Sequence, residues 1–302
     1  MDLWHLKIFQ KVVELKGFSK AAKAVHLTQP TISTHIKELE NHFDCRLIDR
    51  IGKEARPTKA GELLYGKAEK LLTLFEETQA AMAEFMGKIS GRLAVGGSTI
   101  PGSYILPTII GHFVKKYQDV NISLIIGDTE QIIEKIETYK LELALVGAEK
   151  QSIKIIQKKL IKDDMRLIIP GDHKWANKKQ IKIEELFSEP FIIREKGSGT
   201  LQSIQKSFLQ TGNNIFSLNI IAEMGNTSAV IQGIKNHVGI SIFSPLAVKE
   251  ELSAGTLKAF TIKGVDLKRY FYLTTRKNRT PSPLCRAFID FLEEKLPQTF
   301  EK

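Results

Sequence analysis

Between Ser19 and Glu40 the chain carries the pattern that most restricts its fold. Ala21, Ala22, Ala24, Val25 and Leu27 make a short helix with a small, closely packing apolar side. Thr28 then stands as the N-cap of a second helix, and Pro30 in its first turn lacks only an N–H that would go unpaired there anyway. Ile32, Ile36, Leu39 and Phe43 follow at spacings of four, three and four, so one face of that helix is expected to be buried. The opposite face carries Gln29, Thr31, Ser33, Thr34, His35 and Lys37. Short donors and acceptors beside a helix N-terminus suit a recognition helix entering the major groove of double-stranded DNA. A plain solvated helix surface is the bland alternative, and the neighbouring segments weigh against it.

Upstream, Leu3, Leu6, Phe9, Val12 and Val13 keep helical spacing, and Lys16-Gly17-Phe18-Ser19 supplies a turn with Ser19 expected as the next cap. Downstream, residues 46–50 and 54–58 read as two short strands joined at Gly52-Lys53, a winged hairpin. Arg50, Lys53 and Arg56 would then stand beside the recognition helix, suited to phosphate contacts that fix register without reading sequence. A charged surface hairpin is the simpler reading. Thr58 is expected to cap a long helix reaching about Met86. Within it Leu64, Ala68, Leu71, Phe75, Thr78, Met82 and Phe85 form a heptad seam. A helix of roughly 40 Å with such a seam is most simply explained as a dimer zipper. Gly87 and Gly91 would break it and form a hinge.

The 302 residues suggest two domains with room for a small third. The net charge is +10, and residues 1–60 hold eleven Lys/Arg against seven Asp/Glu, so the basic density is highest around the helix-turn-helix. That balance draws the chain towards polyanions whatever their sequence. The N-terminus lacks the basic-then-apolar order of a secretory signal, and no apolar run is long enough for a membrane span. Cys45 and Cys285 can build neither a disulfide framework nor a zinc site, and both are expected to be buried or inert. A cytoplasmic protein that needs no membrane fits these features.

From residue 92 onwards strands and helices alternate. Strands are expected at Leu93–Val95, Asn121–Ile126 and Leu143–Val146, with helices at 104–116 and 129–138. A second unit starts near Met165 and runs through strand 191–193, helix 200–211, strand 218–222, helix 226–235 and strand 238–243. Arg269–Thr274 reads as a late strand returning to the first unit, and 283–296 as a closing helix. The pattern predicts a parallel, doubly wound sheet. Two α/β lobes joined near 163 and 266 would leave a cleft. Asp163-Asp164 reads as a solvated crossing.

The chain resembles the LysR-type transcriptional regulators over essentially its whole length. The residues that carry the resemblance are Phe9, Gly17-Phe18-Ser19, Ala21-Ala22, Leu27, Thr28-Gln29-Pro30, Ser33, Ile36, Leu39-Glu40, Leu47, Arg50, Thr58 and Ala60-Gly61. Two departures stand out: the family's common Arg-Gln pair is Thr34-His35 here, and its common wing Arg is Lys53. Thr and His cannot make the bidentate base contacts of Arg and Gln, so base preference does not carry over from relatives. The resemblance implies an α+β multidomain chain. Residues 1–60 would be a winged helix-turn-helix, 61–90 a linker and dimerisation helix, and 91–302 an effector-binding domain similar to periplasmic binding proteins. Its first lobe would span about 91–163 and 267–302, its second about 164–266. It further implies a homodimer or homotetramer, and contact with RNA polymerase.

The DNA contacts expected on this basis come from Thr28, Gln29, Thr31, Ser33, Thr34, His35, Lys37, Arg50 and Lys53. The resemblance places a small-molecule effector between the lobes. Four loops qualify there: Ser98-Thr99, Thr129, the Gly197–Thr200 loop with Ser198 and Thr200, and Asn226-Thr227. Hydroxyls and backbone N–H groups at helix N-termini favour a small anion, an inorganic oxyanion or a carboxylate. Each of these residues could equally be a simple helix cap, and Arg194 could be a nearby charge or an exposed surface residue. No enzyme is visible: the seven His show no metal spacing, and Gly197-Ser-Gly-Thr lacks the Lys of a phosphate-binding loop. No cofactor or metal is expected. The competing reading is a cytoplasmic small-molecule sensor or binding protein whose N-terminal helices do not read DNA.

Overall fold

The computed structural model describes residues 1–51, 54–86 and 89–300. The chain divides into two compact units, Met1–Gly87 and Lys88–Lys302. No helix among the described residues is long and apolar enough to cross a membrane.

The first unit begins with α1 (Leu3–Glu14), α2 (Phe18–Ala24) and α3 (Gln29–Phe43). Asp2 caps α1 by accepting from the N–H groups of Trp4 and His5. The N-cap of α2 is Gly17, with no side-chain bond, so Ser19 lies inside the helix rather than capping it. Thr28 does cap α3, accepting from the Thr31 N–H. Leu6, Phe9 and Val12 of α1, Ala21 and Ala22 of α2, and Ile32, Ile36 and Leu39 of α3 close one core. Phe43, expected in that buried row, is 41% exposed. It sits on the last turn, where Asp44 in the left-handed region ends the helix.

Strands β1 (Ile48–Ile51) and β2 (Glu54–Pro57) pair antiparallel, with Ile48 opposite Pro57 and Ile51 opposite Glu54. Gly52 and Lys53, expected at the turn, lie outside the described residues. Helix α4 (Lys59–Phe85) follows, and the Gly61 N–H donates to the Thr58 hydroxyl at 3.0 Å. Gly61 lies so close to the wing that a Cβ there would stand 2.1 Å from the Leu47 carbonyl oxygen. Gly61→Ala should therefore destabilise the first unit by about 1–3 kcal/mol. Thermal unfolding of the full chain would register this as an earlier first transition; an unchanged transition would mean that α4 shifts freely. Cys45 is exposed, while Cys285 is buried and its thiol pKa is pushed up by that burial. Gly87, half of the expected hinge, lies outside the described residues.

In the second unit β3 (Gly91–Ser98), a π-helical turn at Pro101–Ile105, α5 (Leu106–Lys116), β4 (Val120–Gly127), α6 (Thr129–Glu137) and β5 (Leu143–Val146) come in that order. Gly91, with a φ of 113°, opens β3. β3 continues past the expected Leu93–Val95 through Gly96-Gly97-Ser98. Gly97 permits a close approach: a Cβ there would stand 2.5 Å from the Cα of Gly102 in the turn that crosses the strand end. After β5 come β6 (Ile155–Asp164), β7 (Arg166–Pro170), β8 (Ile181–Lys182), β9 (Phe191–Arg194), α7 (Gly199–Gln210), β10 (Ile220–Met224) and α8 (Thr227–Lys235). The chain ends with β11 (Ser241–Phe243), α9 (Lys249–Ser253), β12 (Leu257–Phe260), β13 (Ile262–Lys263), β14 (Lys268–Arg276) and α10 (Pro283–Phe300).

The larger sheet has the order β4-β3-β5-β14-β6. β3 pairs parallel with β4 and β5, but β14 lies antiparallel to both β5 and β6. The expected all-parallel sheet is thus mixed: β6 runs out of the first lobe, and β14 runs back beside it. β7 is central to a three-stranded sheet with β11 and β12, and a Phe191–Ile240 bridge links β9 to that region. Phe113, Phe271 and Phe288 anchor the core of the first lobe, and Phe191 and Phe208 that of the second.

Candidate functional site

The face of α3 away from the core is exposed at Thr28, Gln29, Thr34 and Lys37, and partly exposed at Thr31, Ser33 and His35. Local bonds order it. The Gln29 amide donates to Ser33 Oγ at 3.0 Å, Thr34 Oγ1 donates to the Pro30 carbonyl at 3.2 Å, and the Thr28 and Thr31 hydroxyls lie 2.7 Å apart. From β1, Arg50 donates to Ser33 Oγ at 3.2 Å while its guanidinium lies 4.2 Å from the Phe18 ring centre. Glu40 accepts from the N–H groups of Leu47 and Ile48, fastening the recognition helix to the wing. The wing cation Arg56 is engaged with Glu54, and Lys53 lies outside the described residues. His35 turns towards α1, its ring edge-to-face with His5 at 4.9 Å. Neither the Arg50–Ser33 bond nor the His35 orientation was readable from spacing alone.

In the second unit a narrow polar cleft lies at the carboxyl ends of β3, β5 and β9. Ser98, Thr99, Thr129, Ser198 and Thr200 line it, together with Arg194 and Arg269. Ser98 Oγ accepts from the Gly147 N–H at 2.9 Å and so ties the ends of β3 and β5. Arg194, expected either as a nearby charge or as an exposed surface residue, is 4% exposed. It donates to Thr99 Oγ1 at 3.2 Å and to Thr227 Oγ1 at 2.8 Å, and Glu195 accepts two further bonds at 2.6 Å. Its charge is therefore already answered by Glu195. Asn226 is exposed, caps α8 by accepting from the Ala229 N–H, and does not line the cleft.

Arg269 is the residue that sequence reasoning passed over as an ordinary strand position. It is 7% exposed; its Nε donates to Asp163 at 2.8 Å and its Nη1 to Thr200 Oγ1 at 3.2 Å. Asp163, expected to be solvated, is 3% exposed and also accepts from Ser244 Oγ at 2.6 Å. Arg269 Nη2 and Thr129 Oγ1 are buried with no hydrogen-bond partner. A guanidinium N–H can only donate, so whatever satisfies Nη2 must present an acceptor lone pair. Ser198, the N-cap residue of α7, lines this cleft together with Gly199 and Thr200 and makes no side-chain capping bond.

Two family models match the chain. A bacterial regulatory helix-turn-helix protein of the lysR family covers residues 3–62, and a LysR substrate-binding domain covers residues 87–297. An uncharacterised helix-turn-helix transcriptional regulator of Methanocaldococcus jannaschii is 33% identical over 290 residues, 95% of this chain and 97% of that one. The regulator CysL of Bacillus subtilis is 31% identical over 265 residues, 87% of either chain. Among solved structures, the regulatory domain of Synechocystis CcmR in complex with 2-PG is 27% identical. It covers 70% of this chain and 99% of its own, with a TM-score of 0.64. Full-length CbnR bound to its target DNA is 19% identical and shares the fold, with a TM-score of 0.71 over 97% of this chain and 99% of its own. The extent of these matches, laid over a recognition helix with its wing and a two-lobed α/β domain, shows that the chain belongs to the LysR family of DNA-binding transcriptional regulators.

Proposed function

We propose that this regulator answers to a small anion held in the cleft between Thr129, Thr200 and Arg269, and that the anion changes how paired DNA-binding units grip an operator. The observation that carries the reading is the pair of buried, unpartnered polar atoms, Thr129 Oγ1 and Arg269 Nη2, at the uncapped start of α7. A donor-only guanidinium N–H, a hydroxyl able to donate and a helix N-terminus together favour oxyanions and carboxylates. The related CcmR domain holds 2-PG, which supports a ligand for this domain too. Ser98, Arg194 and Thr227 position the walls, and Ser198 with Thr99 shapes the mouth. To switch the assembly, the anion must bind one arrangement of the lobes better than the other.

On DNA, Gln29, Thr31, Ser33 and Thr34 meet base edges, while Thr28, Lys37, Arg50 and Lys53 hold phosphates. His35 reaches the groove only by leaving His5. The protein works as a homodimer or homotetramer on a partly palindromic site in the cytoplasm, in contact with RNA polymerase, and acts by binding rather than turnover.

The test is a thermal-shift titration of the full-length protein with phosphate, sulfate and a panel of small carboxylates. One class should stabilise the second unit, by about 2.7 kcal/mol at a hundredfold excess over Kd. Thr129→Val keeps the side chain's shape and should weaken that binding about tenfold or more, since a hydrogen bond to a charged group contributes ~1.5–3 kcal/mol. Unaltered affinity in Thr129→Val, or no response to any anion, rejects the site.

A further inference from the structure

We propose that His5, His35 and Glu38 form a binding site for a divalent transition-metal ion of the zinc type, built across α1 and the recognition helix α3. His5 Nε2 lies 3.0 Å from Glu38 Oε2, and the same oxygen lies 3.5 Å from His35 Nδ1. All three donor atoms fall within 4.8 Å of one another. Zinc bonds of about 2.0–2.1 Å place donors roughly 3.3–3.5 Å apart on a tetrahedron, so two of the three spacings are close to those of a loaded site. The third closes by turning the two imidazoles, which already meet edge-to-face.

Two further features favour a cation here. His35 Nδ1 is buried and makes no hydrogen bond. Asp2 Oδ1 lies 2.7 Å from His5 Nδ1 and accepts its hydrogen bond, so that Nε2, 3.0 Å from Glu38, is the ring nitrogen that faces the cluster. Metal-bound imidazoles are typically held in this way by an outer carboxylate, which fixes the tautomer and the ring.

Two His and one carboxylate make a three-ligand set that leaves a fourth position to water, and imidazole with carboxylate suits Zn²⁺, Co²⁺ or Ni²⁺ better than the hard ions. Sequence spacing hid the set, because His5 and Glu38 are 33 positions apart. An ion bound here fixes the recognition helix against α1 and keeps His35 out of the groove.

The experiment strips the full-length protein with a chelator, then titrates it with Zn²⁺ by calorimetry and with Co²⁺ by visible absorption. One ion per chain is expected, with the Co²⁺ spectrum of a nitrogen and oxygen site. His5→Ala, His35→Ala and Glu38→Gln should each weaken binding about tenfold or more, with circular dichroism confirming that the variants stay folded. Asp2→Asn keeps an N-cap residue but removes the outer carboxylate, and should cost about 10–100-fold. His42→Ala, on the same helix outside the cluster, and Cys45→Ser should bind as the parent does. Binding that survives in the three ligand variants, or that vanishes with His42 or Cys45, overturns the proposal.

Discussion

Arg269→Ala should abolish the response to anions and lower the stability of the second unit by about 3–5 kcal/mol, because it strands a buried carboxylate. Asp163 would keep only the Ser244 hydroxyl as a side-chain partner, at a position 3% exposed to water. For a unit of this size the loss corresponds to roughly 10 °C in Tm. Two variants separate the structural part from the ligand part. Arg269→Lys retains a cation for Asp163 but not the planar fork, so most of the stability should remain while anion binding falls. The double variant Asp163→Asn with Arg269→Met removes both charges together, and stability should recover much of the loss, since a buried pair replaced by groups of similar volume is often nearly neutral. Anion binding should stay lost in the double variant. Scanning calorimetry with and without the anion reads both quantities, and an anion response surviving in the double variant would remove Arg269 from the site.

What the sequence could and could not disclose follows from how local each feature is. The helix-turn-helix is written in short-range spacings, such as Ile32, Ile36 and Leu39, and in a capping threonine before Pro30, so its elements come out within a residue or two. The parallel strands β3, β4 and β5 are apolar runs and equally legible. β6 was not, because one of its faces is solvated and Gln157-Lys158-Lys159 interrupts any hydrophobic run. Without β6, the antiparallel entry of β14 could not be inferred, nor could the burial of Asp163 and Arg269 where the two strands pair. The cleft loops were found because strand ends precede helix starts. The fold adds to them an arginine 69 positions from its Thr200 partner. Arg194 likewise looks like any surface arginine until two threonines from different loops converge on it.

Leu71→Glu combined with Phe75→Glu should convert the protein to a monomer and weaken operator binding by about 10²-fold or more, the avidity lost when two linked heads become one. The expectation rests on where the apolar stripe of α4 goes. Leu64 and Ala68, its first members, pack into the core of the DNA-binding unit. One turn further, Leu71 is 46% exposed, followed on the same side by Phe75 at 44% and Met82 at 56%, with Leu63, Leu74 and Met86 along its flanks. The side chain of Phe85 lies outside the described residues. A row of large apolar groups sustained over several turns is more than a soluble surface usually carries singly, and at heptad spacing it matches a second copy of itself. Antiparallel or parallel, such a pair sets two recognition helices at a fixed separation, which is what a partly palindromic site requires. Because the substituted positions are exposed in the single chain, each head should keep its fold and its non-specific, salt-sensitive grip on DNA. Sedimentation velocity gives the mass and a binding titration gives the affinity. A double variant that still sediments as a dimer would place the pairing surface elsewhere, and a monomer that still binds its operator tightly would show that one head suffices.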